Sequence, residues 1–556
     1  MKKKQFTLYG LLIIQCCALS PAVSAKGLLV TSKVGKIQGL RATDGEYNMF
    51  MGIPYGKIDK KNPFGLSTPY PNFEDIFEAF DDSAVCPQRE QFNKTVVGTL
   101  DCLTLNIYAP TCASSSNPLP VLIYIFGGAL LFGSDRRYVF GPKFLVKHNI
   151  ILVTLNYRVG PYGFMCLNNP EVPGNQGIKD QRLALRWIKH NIEAFGGDAN
   201  KITLSGQSAG SMSVDLHIHS GEENLYQQAI LQSGTVLTPF LFLNPGEDGP
   251  LLLARHLGLD TNDVNKALSF LATVDANDLI VASENTNLTF KVCVEQSFEN
   301  VEPIVTDYPV NLITPRVKNI SILMGFNEEE ELRSYHNVDV RYLKDHDVFK
   351  KYIRGFFDFD SCTYTEMKKV MRHFYFGDSE VDVKTTQAII NLASDLQGNY
   401  PVLRSLRKYI TNGAKTTYCY MFGYVGDRNY MKYTKNITRG GATHADEIGY
   451  LFDVAFLQPF MSEEDRRIID VMTTLWTNYV KYGDPTPEPT DLLPVTWKPV
   501  TVDRWNYLVI DSDLAMATRP YHQSMAFLDV FFKLNQKYQI GYHNNNDQNV
   551  CMINQL

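Results

Sequence analysis

Two apolar runs, Val121 to Phe126 and Ile150 to Leu155, are rich in β-branched residues and bounded by glycine or polar positions, so both read as central strands of a sheet. Between Ile178 and Phe195 the apolar positions Leu183, Leu185, Trp187, Ile188 and Ile192 predict a helix that stops at Gly196 and Gly197. Lys201 to Ser205 predicts another short strand, and residues 229–232 and 320–324 predict two more. Strands separated by helical segments imply an α/β fold with a mostly parallel sheet. No repeat and no long Gly/Ser-rich or Pro-rich linker divides the chain, and the bend Asp484 to Pro489 reads as a surface turn. One large domain over residues 26–540, carrying long insertions and followed by a polar tail at 541–556, is expected.

The N-terminus changes the picture of where the chain works. Lys2, Lys3 and Lys4 precede an apolar run from Phe6 to Leu19, then Pro21 leads to Val23, Ser24 and Ala25. Residues 1–25 read as a cleaved secretion signal. A transmembrane anchor would need about 20 apolar residues and a stop-transfer flank. Cys16 and Cys17 leave with the signal, and Cys86, Cys102, Cys112, Cys166, Cys293, Cys362, Cys419 and Cys551 remain to pair in an oxidising compartment. Glycosylation sequons at Asn93, Asn287, Asn319 and Asn436 agree with a secreted, extracellular protein. The Asn-rich end argues against a lipid-attachment tail, so no membrane anchor is expected.

Composition narrows the partners. At 556 residues, 44% hydrophobic and 20% charged, the chain can build a core without metals or dense disulfides, which excludes disorder and a disulfide-stapled scaffold. The formal charge of -6 becomes more negative once the signal's three lysines leave, and no Lys/Arg stripe tracks along the rest of the chain. Nucleic acid is not an expected partner. No His/Cys spacing suits a metal, and no cofactor is expected.

The candidate chemistry begins at Gly206-Gln207-Ser208-Ala209-Gly210, directly after a predicted strand and before a plausible helix. Two glycines there let the chain turn sharply enough to expose the Ser208 hydroxyl at the top of a sheet. The plain alternative is an ordinary Gly/Ser loop. A serine hydroxyl is a weak nucleophile unless a histidine takes its proton and a carboxylate holds that histidine. Eleven histidines are available, and ones such as His217 and His219 read as ordinary core or surface residues.

Further ordered motifs span nearly the whole mature chain: Gly52-Ile53-Pro54-Tyr55, Asp101 to Tyr108, Asn156 to Gly160, Pro173 to Gly177, Asp180-Gln181-Arg182, Phe195 to Asp198 and Ala229 to Gly234. With them the chain resembles the type B carboxylesterases, a family with an α/β-hydrolase fold that includes cholinesterases, insect juvenile hormone esterases and non-catalytic adhesion proteins. The resemblance implies an acid five residues after the glycine that ends a strand. That makes Glu330 the acid, with Glu329 and Glu331 beside it in an acidic run. Gly441-Ala442-Thr443-His444-Ala445-Asp446-Glu447 resembles the family's histidine loop and implies His444 as general base and acid. The family's His-Gly-Gly-Gly oxyanion loop is here Phe126-Gly127-Gly128-Ala129, so the amides of Gly128, Ala129 and Ala209 are the candidate donors. Ala129 brings a methyl where the family has none, which strains the loop if that position needs positive φ.

The resemblance also implies a disulfide between Cys86 and Cys102, while the family's second pair falls at Leu259 and Phe270 and is missing. One family salt bridge is absent, its positions being Pro63 and Leu100, and the other is kept as Arg158 with Asp180. The loop from Cys86 to Cys102 lacks the tryptophan with which cholinesterases hold quaternary ammonium, which argues against choline esters. Phe240, Phe242, Phe422 and Tyr450 are expected as apolar pocket wall, or else as plain core. The implied activity is hydrolysis of uncharged lipophilic carboxylic esters through an acyl-enzyme on Ser208, with juvenile-hormone-type or odorant esters as candidates. The rival reading is a secreted recognition protein of the same fold with weak or no catalysis. Cys551 resembles the terminal cysteine that links cholinesterase chains, so a disulfide-linked homodimer is one candidate assembly, and the oligomeric state stays open.

Overall fold

A computed structural model describes residues 26–542 except 222, 244, 245, 247, 459 and 460. The expected signal segment, Cys551 and most of the tail at 541–556 lie outside the described residues.

Thirteen strands form one twisted sheet. In chain order they are β1 (Lys26–Ser32), β2 (Gly35–Arg41), β3 (Tyr47–Pro54), β4 (Phe77–Glu78), β5 (Thr104–Pro110), β6 (Leu119–Ile125), β7 (Ile151–Leu155), β8 (Gly197–Gln207), β9 (Gln228–Gln232), β10 (Ser321–Asn327), β11 (Thr416–Phe422), β12 (Asn506–Ile510) and β13 (Leu514–Thr518). Across the sheet they run β1-β2-β3-β5-β7-β6-β8-β9-β10-β11-β12-β13, with β4 beside β2. The seven from β7 to β12 in that order are parallel, and the strands that continue the row on either side pair antiparallel, while the short β4 lies parallel to β2. Helices cover both faces of the parallel part, so its strands need apolar residues at successive positions. Every residue of β7 and β10 is buried.

The predicted helix is α1 (Gln176–Asn191), which tightens into a 3-10 turn and ends at Gly196 in the left-handed region. Four more helices matter below: α2 (Ala209–His219), α3 (Tyr400–Thr411), α4 (Glu463–Tyr482) and α5 (His522–Leu534). A Ser462/Asp465 capping box starts α4, and Gly483 at φ 70 stops it. A single π-helical turn, Asp395–Asn399, leads into α3.

Two disulfides tie long connections to this frame. Cys86 and Cys102 close a short loop, and Cys166 and Cys293 join segments 127 residues apart. Gly174 crosses directly over the second bridge at φ +106, where a Cβ would stand 2.5 Å and 2.6 Å from the two sulfurs. Cys112, Cys362 and Cys419 are free thiols. Arg158 and Asp180 form a fully buried, two-pronged ion pair at 2.7 Å per contact. The remaining Arg158 nitrogen donates to the carbonyls of Pro63 and Gly65. Among the described residues, no helix is long and apolar enough to cross a membrane.

Candidate active site

Ser208 stands between the end of β8 and the start of α2, with φ 58 and ψ -124. Only a forced turn puts a non-glycine residue there, and the packing of its neighbours supplies the force. A Cβ on Gly206 would lie 2.4 Å from the Gly210 carbonyl, and one on Gly210 would lie 2.1 Å from the Ile125 oxygen. Both glycines are therefore required by close approach. The Ser208 amide donates to the Gln232 carbonyl on β9 at 2.8 Å, which anchors the turn to the sheet.

Glu330 follows β10 by three residues. One carboxylate oxygen accepts from the Asn327 amide at 2.8 Å, and the other lies 2.6 Å from His444 Nδ1. The neighbouring glutamates are engaged elsewhere: Glu329 accepts from Gln387 and the Gly441 amide, and Glu331 from Arg333 and the Ser334 hydroxyl. Burial pushes Glu331 up, yet Arg333, the Ser334 hydroxyl and His444 outweigh it and hold the carboxyl below the usual range. Gly398, in the π-helical turn, backs the Glu330 side chain so closely that a Cβ would lie 2.8 Å from its Cγ.

With Nδ1 facing Glu330, His444 presents Nε2 toward Ser208's side of the cavity. There the Gln207 side-chain nitrogen lies 3.3 Å from Nε2. The histidine loop is held from below by two buried acids. Asp446 accepts from the amides of Met431, Lys432 and Thr443, and Glu447 accepts from the side chains of Gln232 and Asn327. Burial lifts Asp446 to about 6 and Glu447 to about 8. Asp446 and Glu447 stand in the sequence only as letters of the histidine motif; their supporting part is visible once Asn327 and Gln232 arrive from separate strands.

The stretch after β6 carries consecutive positive φ values: 121 at Gly128, 56 at Ala129 and 66 at Leu130. The strain anticipated at Ala129 is thus present. Phe126, in the place of the family's histidine, stacks on Tyr157 at 4.4 Å, and the Tyr157 hydroxyl donates to the Phe126 carbonyl. The amides of Gly128 and Ala129 make no hydrogen bond to described residues, and that of Ala209 opens α2.

Ser208, Glu330 and His444, with all three candidate amide residues, line one cavity of about 530 Å³. Its apolar wall includes Phe126, Phe132, Tyr138, Phe140, Leu241 and Ile448. The four rings expected as wall sit elsewhere. Phe422 and Tyr450 pack on each other in the core at 5.6 Å, with the Tyr450 hydroxyl bonded to Asn429 and Asp465. Phe240 turns toward Gly355 and Lys291, and Phe242 pairs with Val292 in a small separate ribbon. Leu241, between them, is the one that reaches the cavity, the chain turning at Phe240, whose φ is 65. Asn93, Asn287, Asn319 and Asn436 are all exposed, and Asn93 lies at the cavity rim.

A strained serine after a central parallel strand, a carboxylate after a later strand and a histidine on a following loop define the α/β-hydrolase class. The sequence profile described as the Carboxylesterase family matches residues 26–528, and the chain belongs to that family. Among relatives, juvenile hormone esterase of Heliothis virescens is 29% identical over 515 residues, covering 87% of this chain and 90% of its own. Bile salt-activated lipase of Rattus norvegicus is 30% identical over 562 residues, covering 92% and 86%. Among solved structures, juvenile hormone esterase from Manduca sexta, with OTFP covalently attached, superposes with a TM-score of 0.80 at 27% identity, covering 92% of this chain and all of that one. The protein is accordingly a carboxylic ester hydrolase.

Proposed function

We propose that Ser208 is the nucleophile, His444 the general base and then acid, and Glu330 the carboxylate that fixes the imidazole. The observation that carries this reading is the 2.6 Å contact of Glu330 with His444 Nδ1 in the cavity that also holds Ser208. Ser208 Oγ attacks the ester carbonyl as its proton passes to His444 Nε2. The developing oxyanion accepts hydrogen bonds from the amides of Gly128, Ala129 and Ala209. His444 then protonates the leaving alcohol, and water repeats the cycle on the acyl-enzyme. For Nε2 to meet the serine proton, the Gln207 side chain must yield its place. The apolar wall supports uncharged lipophilic carboxylic esters as substrates, of the juvenile-hormone or odorant type.

Purified protein should turn over a short-chain nitrophenyl ester, with Ser208→Ala slower by about 10⁴-fold or more. Turnover no faster than that variant's would sink the reading. It would favour a recognition protein, for which Gln207 on His444 and the strained Ala129 are the supporting features.

We further propose export as a glycoprotein, supported by two disulfides and four exposed sequons. Protein collected from the medium of expressing cells should lose mass on enzymatic removal of N-glycans; an unchanged band would count against it.

A further inference from the structure

A second pocket, away from the ester site, lies where α3 and α5 meet the turn between β13 and α5. Its volume is about 150 Å³, and its lining includes Arg404, Arg407, Arg519, Trp505, His522 and Asp529. Three arginines thus share the pocket with one carboxylate. Asp529 is already taken, since Arg407 grips both of its oxygens and the Tyr400 hydroxyl donates to one of them. Among the described residues no carboxylate lies within ion-pair distance of Arg404 or Arg519.

Each arginine is nevertheless held in place. Arg404 lies over the rings of Tyr400 and Phe532 at 5.7 Å and 4.9 Å, and its Nη1 is buried without a hydrogen-bond partner. Burial pulls its guanidinium downward and Arg407 adds to this, while Tyr400 and Asp529 offset it only in part. Arg407 and Arg519 both stand over Trp505, at 5.2 Å and 5.8 Å. Arg519 and Tyr521 also adopt positive φ, 52 and 48, on either side of Pro520. Backbone strain in non-glycine residues collects where a side chain must be aimed, and here it brings Arg519 to the pocket. Guanidinium forks match the oxygens of tetrahedral anions, which is why arginines gathered at one pocket select them.

We propose that this pocket binds an oxyanion of the phosphate or sulfate class, either as the free ion or as the head of a monoester, between Arg404, Arg407 and Arg519. The apolar cavity at Ser208 and this cationic one therefore take chemically opposite ligands, and the inference does not depend on ester hydrolysis.

Thermal unfolding and titration calorimetry of the full chain test it, with inorganic phosphate, inorganic sulfate and a short alkyl phosphate each compared with chloride at matched ionic strength. The unfolding midpoint should rise with the logarithm of oxyanion concentration and not with chloride. Arg404→Met and, as a second variant at an exposed position, Arg519→Gln should each weaken binding about tenfold or more. Both should keep native ester turnover, which certifies their folding. A stronger response to the alkyl phosphate identifies a monoester head as the ligand, and a stronger response to the inorganic ions identifies the free anion. Equal responses to chloride and the oxyanions, or unchanged oxyanion affinity in the folded variants, would overturn the proposal.

Discussion

Ala129 concentrates at one residue what the sequence could and could not convey. The departure from a glycine-rich loop is plain in the letters, and the structure gives it a value of φ, 56, that an alanine adopts only under constraint. A left-handed alanine costs roughly 1–2 kcal/mol, partly offset by the freedom a glycine loses on folding. Ala129→Gly should therefore raise stability by about 0.5–1 kcal/mol in urea unfolding. It should also raise kcat for small esters by removing a methyl from the cavity wall. A destabilised, slower variant would mean that the methyl packs rather than strains. Glu330 is named by motif spacing alone, because the four consecutive glutamates 328–331 differ in direction and not in chemistry. The contact with His444 Nδ1 is what separates it from its neighbours, with the Asn327 amide holding the other oxygen. The pocket rings could not be read at all: Phe240, Leu241 and Phe242 are all apolar, and which one faces the cavity depends on a one-residue register.

Among the elements, the central strands and α1 were legible because burial on both faces or on one stripe leaves an unbroken apolar signature. The antiparallel flanks β1 to β3 were not, since a strand with one wetter face mixes polar residues into its pattern. β8 runs from Gly197, well before the predicted start at Lys201, through polar residues that the pairing of Gly197 with Leu119 keeps in line. The Cys166–Cys293 bridge was equally hidden, as two of eight cysteines far apart in sequence carry no mark of each other. It closes a loop of 127 residues, and such a closure restricts the unfolded chain strongly. A Cys166→Ser/Cys293→Ser double variant should lose about 3–5 kcal/mol of unfolding free energy. Urea titration would show this as a lower midpoint, and no change would mean that the neighbouring hydrogen bonds of Asn175 to Cys293 and Glu295 do the work instead.

At the scale of the whole molecule, buried ionisable groups set opposing limits on pH. Burial raises Glu447 from 4.5 to about 8, so its contribution to stability is full below pH 4.5 and is lost as pH rises through about 8. Burial lowers His217 and His219 from 6.5 to about 3, so theirs is full above pH 6.5 and lost as pH falls through about 3. The two windows overlap between pH 4.5 and 6.5, so the stability optimum should lie toward the upper end of that overlap, on the acid side of neutrality. Glu447→Gln should flatten the decline between pH 4.5 and 8 in a series of unfolding midpoints. The new amide can donate to Gln232 Oε1, which has no partner as placed, after that side chain flips. A decline of unchanged slope would assign it to other buried acids such as Asp215, which burial also raises.

The Arg158–Asp180 pair reaches furthest beyond its own contacts. Both side chains are at 0% exposure, so dissolved ions have no approach to them, whereas a pair such as Lys60–Asp101 is open to solvent on both sides. Through the Pro63 and Gly65 carbonyls this shielded bridge clamps an N-terminal loop to the helix α1. The scaffold under the active cavity is thus fastened by a charge contact that brine and fresh water treat alike.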